Sequence, residues 1–426
     1  MIIDPSKSYS TPRAFTGVAL LVGVIIMALH VSGCRTARHA GIHTLQYQYH
    51  LTDLTPLPYY TLFQFTDDSL RVWFEVPVKP IKEGDEEQPQ GFLLRMDLYE
   101  HAGSKTIIDS ASWFFAADTP VHRGSITGYA DIFTGEPEGR HLRLVLTHLQ
   151  HTSSFSWETR LPSSWPPSTT HFRLKDDNGH MLHPGTLTPD HTFSMESSLV
   201  TTQTVQVRYY RNQHPPALPP FVTGVPGQLS YQADSIFSIQ FREGESETLQ
   251  FTKPGMYHLI TDTTSRTGFT MFVRAYPFPR IEHPSQMVAP LRYITTDREF
   301  KGLVQAADPQ QAAEAFWLEK AGNAMRATRL LREYYRRVER ANFLFSSYTD
   351  GWKTDRGMVY IVYGPPTTIT RTERGEVWTY GESPHLLSLS FPFVRMTNPF
   401  THHDYMLERS TTYKTGWHQR VSSWRR

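Results

Sequence analysis

The chain has 426 residues, with 42 Lys and Arg against 41 Asp and Glu, a net charge of +1 and charged residues at 19%. That balance excludes an electrostatic nucleic-acid footprint, and a single cysteine, Cys34, excludes a disulfide framework within the chain. The length allows two or three domains, and 13% aromatic residues with 30 prolines point to many short strands and loops.

The N-terminal segment reads as a targeting signal. Lys7 and Arg13 stand against Asp4 in a short basic stretch, residues 14–29 are non-polar or small, and Val31-Ser32-Gly33-Cys34 follows. A basic start, an apolar core and small residues before a cleavage point describe a secretory signal over residues 1–33. An uncleaved membrane anchor competes with this reading, although the run falls short of the roughly 20 residues a spanning helix needs. An ordinary signal followed by an incidental thiol is the other alternative. A signal that ends on Cys resembles the lipobox of bacterial lipoproteins. The resemblance implies that Cys34 is lipidated and attaches the chain to a membrane. With Arg35 next and no acidic cluster behind it, it favours the outer membrane with the domains on the periplasmic face. Residues 34–45 are expected to be a tether.

Residues 46–160 are expected to form a β-sandwich. Leu70, Val72, Phe74 and Val76 alternate with polar residues, as do Leu94, Met96 and Leu98, and Leu142, Leu144 and Leu146. The prolines of Leu161-Pro-Ser-Ser-Trp-Pro-Pro mark a linker, because proline cannot join a sheet ladder. Five further strand patterns predict a second, smaller sandwich over residues 166–282. One distorted sandwich across both regions is the alternative. Trp73, Trp113 and Trp157 are expected in the core; exposed, they would suggest carbohydrate binding.

Beyond residue 290 the pattern turns helical. Asp308-Pro309 offers an N-cap and first-turn proline, Gly322-Asn323 a stop and restart, and a long helix is predicted from Ala324 to Ser347. Leu331, Tyr334, Tyr335, Val338, Ala341, Asn342 and Phe345 recur at steps of three and four, one buried stripe. Arg326, Arg329, Arg332, Arg336, Arg337 and Arg340 lie opposite, with Glu333 and Glu339 among them. This is either a solvated face helped by weak i,i+4 pairs or a docking face for an acidic partner or phospholipid head groups.

The string Gly351-Trp352-Lys353-Thr354-Asp355-Arg356-Gly357 follows. Physically, Gly351 can take positive φ and end the helix, Trp352 can anchor the turn, and Thr354 and Asp355 can cap amides. Arg356 could pair with Asp355 or Glu373, and Gly357 permits close approach. Met358 to Tyr363, apolar on both faces, reads as a central strand, turned at Gly364-Pro365-Pro366. An Arg374-Gly375 hairpin, strands near 386–394 and 404–409 and a short helix over 416–424 complete the expected elements. The order of Phe316-Trp317, Tyr334 to Asn342 and the Gly-Trp-Lys-Thr-Asp-Arg-Gly string resembles the GWxTD-domain proteins, a bacterial envelope family mostly without assigned activity. The resemblance covers residues 290–426 and implies an α+β domain with long helices and a small antiparallel sheet.

No nucleophile elbow, phosphate-binding glycine loop, dinucleotide fingerprint or H-E-x-x-H occurs. The tightest histidine groups, His148 with His151 and His402-His403-Asp404, would need a third ligand from elsewhere to hold a metal. No cofactor is expected. Asp355 is the best isolated acid or base. The leading expectation is a non-catalytic, lipid-anchored envelope protein that binds another envelope component. The alternatives are a hydrolase or transferase using Asp355 and a carbohydrate-binding lipoprotein.

Overall fold

The computed structural model describes residues 45–47, 59–66, 68–77, 91–101, 104–116, 125–135, 140–148, 154–161, 171–185, 187–200, 202–211, 214–224, 229–264, 266–372, 374–381 and 388–425. Cys34, the expected signal and tether, and the Trp157 and His151 side chains lie outside the described residues. Among those described, no helix is long and apolar enough to cross a membrane. The fold is mainly β, in several sheets, followed by a C-terminal region rich in helices.

Seven strands build the first region: β2 (Tyr59–Thr66), β3 (Ser69–Pro77), β4 (Phe92–Tyr99), β5 (Ile107–Phe115), β6 (Ser125–Phe133), β7 (His141–His148) and β8 (Ser154–Arg160). They form a three-stranded sheet, β2-β3-β6, and a four-stranded sheet, β5-β4-β7-β8. The predicted alternation decides the packing. Val72, Phe74 and Ile132 from one sheet share a core with Leu94, Met96, Leu98, Leu142, Leu144 and Leu146 from the other. Trp113 packs against that core as expected. Trp73 does not. One residue out of phase with Val72 and Phe74, it pairs across the strand with Tyr129, ring centroids 4.6 Å apart. The Arg173 guanidinium of the next region sits 5.8 Å from its ring centroid, a cation-π contact where a sugar would need open space.

The second region is one nine-stranded sheet. Its strands are β9 (Phe172–Lys175), β10 (Met181–Leu182), β11 (Thr192–Ser197), β12 (Gln203–Tyr210), β13 (Ser235–Arg242), β14 (Glu245–Ser246), β15 (Leu249–Gln250), β16 (Gly255–Ile260) and β17 (Phe269–Val273). Phe172, Met195, Val207, Phe241, Leu259 and Met271 from six of them meet in one core. β16 and β17 are buried on both faces. Their second face, Met256 and Phe272 with Tyr210, packs on Phe400 of the C-terminal region.

The C-terminal region contains helices α1 (Pro284–Val288), α2 (Asp297–Val304), α3 (Pro309–Ala321), α4 (Ala324–Phe345), α5 (Asp355–Tyr363) and α6 (Tyr413–Trp424). The predicted caps are present. The Asp308 carboxylate accepts from the amides of Gln310 and Gln311, Gly322 takes φ 74° to close α3, and the Asn323 side chain accepts from Arg326 N to open α4. The stripe on α4 is buried at Tyr334, Tyr335, Val338, Ala341, Asn342 and Phe345. Four strands cover the core: β18 (Thr368–Thr372), β19 (Gly375–Tyr380), β20 (Leu389–Arg395) and β21 (Tyr405–Leu407).

Two expectations need correcting here. Met358 to Tyr363 is not a strand but most of α5. Thr354 caps that helix by accepting from Gly357 N at 3.0 Å, Asp355 stands in its first turn where the dipole favours a carboxylate, and Gly364 ends it at φ 87°. A helix buried all round has no periodicity to separate it from a central strand. The other concerns β1 (Leu45–Tyr47), expected at the junction of tether and first sandwich. It pairs antiparallel with β18, Leu45 opposite Arg371 and Tyr47 opposite Ile369, and so adds an edge strand to the C-terminal sheet.

Candidate functional site

The signature string lies where α4, α5, the C-terminal sheet and the second β region meet. Gly351 does not take positive φ. It begins a 3-10 turn, Gly351–Lys353, pressed so closely on α4 that a Cβ would stand 1.9 Å from the Ala341 carbonyl oxygen. α4 ends instead at Ser346, whose backbone is extended. Gly357 makes the expected close approach; its Cβ would lie 1.8 Å from the Gly351 oxygen. Asn342, buried in α4, receives Trp352 N at 3.1 Å and donates to Pro279 O at 3.1 Å. Trp352 is 8% exposed, and its carbonyl accepts from the Tyr293 hydroxyl at 2.9 Å.

Both charged members of the string are buried and paired. The Asp355 carboxylate accepts from Leu407 N at 2.8 Å and from both terminal nitrogens of Arg409, a two-pronged pair. Glu373 lies outside the described residues, and Arg356 does not pair with Asp355, because its helix aims it at the sheet. It reaches Glu376 at 3.3 Å, donates to His403 O at 2.8 Å, and lies 3.9 Å from the Tyr405 ring centroid. Trp378 Nε1 donates to the same Glu376 carboxylate at 3.0 Å. Asp355 is therefore buried, 8% exposed, and held by three hydrogen bonds within the domain.

The string is also clasped from the second β region. The segment between β12 and β13, His-Pro-Pro-Ala-Leu-Pro-Pro from 214 to 220, runs across the C-terminal region as a strap. Ala217 N donates to Lys353 O at 2.8 Å, Arg409 reaches Leu218 O at 3.3 Å, and Ser410 N reaches Pro220 O at 3.1 Å. Prolines suit such a strap, since they hold it extended and carry no donor to leave unpaired. From the end of β17, Arg274 donates to Asp350 Oδ1 at 3.0 Å and to Ser347 O at 2.9 Å while only 4% exposed. Strap, Arg274 and Arg409 carry no local sequence signal. Their partners are far along the chain.

Two titratable groups are buried at this joint, His258 against the Phe400 ring and Asp404 four residues further on. His258 is 1% exposed; its Nε2 donates to Arg266 O at 3.0 Å and its Nδ1 accepts from the Thr270 hydroxyl at 2.9 Å. Burial pushes its pKa down to about 4 from 6.5. Asp404 accepts from Asn398 at 2.9 Å, and burial pushes it up to about 6 from 3.8 against the pull of Asn398 and Arg356. The folded state thus favours neutral His258 and protonated Asp404. The His258 contribution to stability is complete above 6.5 and is lost as pH falls toward 4. The Asp404 contribution is complete below 3.8 and is lost as pH rises through about 6. His214 and His402, also lowered by burial, act in the sense of His258. Between neutral and mildly acidic pH the two trends oppose. Asp404→Asn is expected to lose about 1–2 kcal/mol of stability on that descent, and His258→Gln to gain stability relative to wild type. Denaturant midpoints of the three proteins at both pH values check this.

Among the described residues no three His, Cys, Asp or Glu side chains converge as metal ligands. The α4 arginines separate into two sets. Arg337 is turned inward, paired with Glu333 at 2.8 Å and stacked 4.9 Å from the Trp424 ring centroid. Arg326 and Arg340 are half-buried. Arg329, Arg332 and Arg336 are exposed, in a shallow hollow with Met325 and Thr328. Of Gly364 and Pro365, the first holds the turn and carries the Arg337 guanidinium above it; the second is exposed.

Residues 255–426 match the family model of the GWxTD domain, so the C-terminal part of this chain is a GWxTD domain. The match opens at Gly255, the first residue of β16, and takes in the two strands that pack on Phe400. No curated protein matches the chain.

Proposed function

We propose that this GWxTD-domain chain is a non-catalytic, lipid-anchored envelope protein, held at the outer membrane through Cys34 and facing the periplasm, where it binds another envelope component. In this reading the two β regions are Ig-like modules acting as spacers. The observation that carries a binding role is the division of labour among charged residues. Asp355, Arg356, Glu376 and Arg409 are spent inside the domain, each at most 8% exposed on its side chain. Of the cations left to solvent, Arg329, Arg332 and Arg336 stand together on one face of α4, and no ion pair holds Arg329 or Arg332 among the described residues.

Crosslinking in the native envelope, followed by affinity capture, tests the reading. One stoichiometric outer-membrane component is expected with the wild type and lost with Cys34→Ser. Turnover of a glycan or peptide substrate by the purified protein, abolished by Asp355→Asn in a variant that still folds, would overturn it.

A further inference from the structure

We infer that the exposed face of α4 rests on anionic lipid head groups, so that the GWxTD domain lies beside the membrane rather than at the far end of a string of modules. Two independent observations lead there. The first is topological. Only ten residues, 35 to 44, separate Cys34 from β1, and β1 is hydrogen-bonded to β18 of the C-terminal sheet. Fully extended, ten residues reach at most about 36 Å. An anchor at Cys34 therefore tethers the last domain of the chain within roughly a domain's width of the bilayer. This step rests on the lipid-anchor reading above.

The second is the chemistry of the face. Met325, Arg329, Arg332 and Arg336 follow one another at steps of four, three and four, a stripe about 16 Å long at 1.5 Å per residue. Met325 is 86% exposed, and Leu318, across the Gly322-Asn323 turn at the tip of the α3–α4 hairpin, is 50% exposed. Glu333, the acid beside the stripe, is already shared by Arg336 and Arg337. An open arginine row with a protruding thioether and an isobutyl group suits head groups above and acyl chains below. The hollow it lines with Thr328 and Glu333 is shallow and open, not a closed cleft shaped to one side chain. A basic patch is also the kind of second signal that strengthens a lipid anchor. These features favour a lipid surface over an acidic protein.

The test uses a chain beginning at residue 34 with Cys34→Ser, which keeps the whole unit from His43 to Arg426 and carries no acyl group. Sedimentation with phosphatidylcholine vesicles, with and without phosphatidylglycerol, reads the partition. Binding is expected only to the anionic vesicles and is expected to weaken with salt. Arg329→Gln, Arg332→Gln and Arg336→Gln together should lower the partition roughly 100-fold, as about 1 kcal/mol per arginine implies. These side chains are exposed, so the melting temperature should hold, which separates lost binding from lost fold. Equal binding to neutral vesicles, or an unchanged partition for the triple variant, overturns the inference. So does a triple variant that keeps vesicle binding but loses its crosslink to an acidic protein. The mass of the mature N-terminus tests the anchor separately, so failure of the anchor and failure of the α4 face remain distinguishable.

Discussion

Asp355→Ala is expected to destabilise the GWxTD domain by about 3–5 kcal/mol, the usual result of removing one partner from a buried ion pair. Arg409 would keep its charge at 7% side-chain exposure, with only carbonyl oxygens such as Leu218 O at 3.3 Å to receive it. Leu407 N would lose its acceptor as well. Asp355→Ala with Arg409→Met should recover much of the loss, because both charges leave together and an apolar chain of similar length fills the space. Chemical denaturation of the four proteins forms a double-mutant cycle, and a coupling near zero would refute the account. The cycle also separates the two roles considered for Asp355. A catalytic carboxylate would tolerate replacement in stability and fail in turnover; a structural one fails in stability.

How much of this was legible in the sequence depends on the distance over which each signal acts. Asp308 and Asn323 open α3 and α4 through bonds to amides two or three residues away, Gly322 closes α3 on a carbonyl four residues back, and they read correctly. The alternation in β4 and β7 acts at a period of two and also read correctly. Met358 to Tyr363 failed because a fully buried helix and a central strand ask for the same run of side chains. The deciding signal lay just upstream, in Thr354 as an N-cap with Asp355 in the first turn. Gly351 was read as a φ device when its job is contact with Ala341, ten residues back. The partners of Asp355 and Arg356 stand 54 and 20 residues away. Charge pairing at that range has no period for a sequence to display, so Arg409 and Glu376 were missed. The edge strand β1 and the strap at 214–220 are similar cases. Both are short segments, one of three residues and the other proline-rich, whose meaning comes from the surface they cross.

Trp352→Ala is expected to cost about 3–5 kcal/mol, transfer plus cavity for a large buried ring. The indole meets Tyr293 edge to face at 6.2 Å, with Lys353 Nζ 5.5 Å from its ring centroid. The backbone on either side is too closely packed to move into the space. Gly351 is locked on Ala341, and Gly357 on Gly351. For a domain of this size the loss corresponds to a fall of roughly 6–20 °C in melting temperature. Trp352→Phe should lose less, since a smaller ring can keep the contact with Tyr293. The damage should also spread beyond the domain. Lys353 O, one residue on, receives Ala217 N from the strap, and Asp350, two residues back, holds Arg274. Amide exchange at Ala217 and Arg274 is therefore expected to quicken in Trp352→Ala, while amides of β4 and β7 in the first region keep their protection. An unchanged melting temperature would mean that the indole is an exposed contact. Loss of protection confined to residues 351–364 would mean that the strap and the GWxTD domain are held together by something other than this turn.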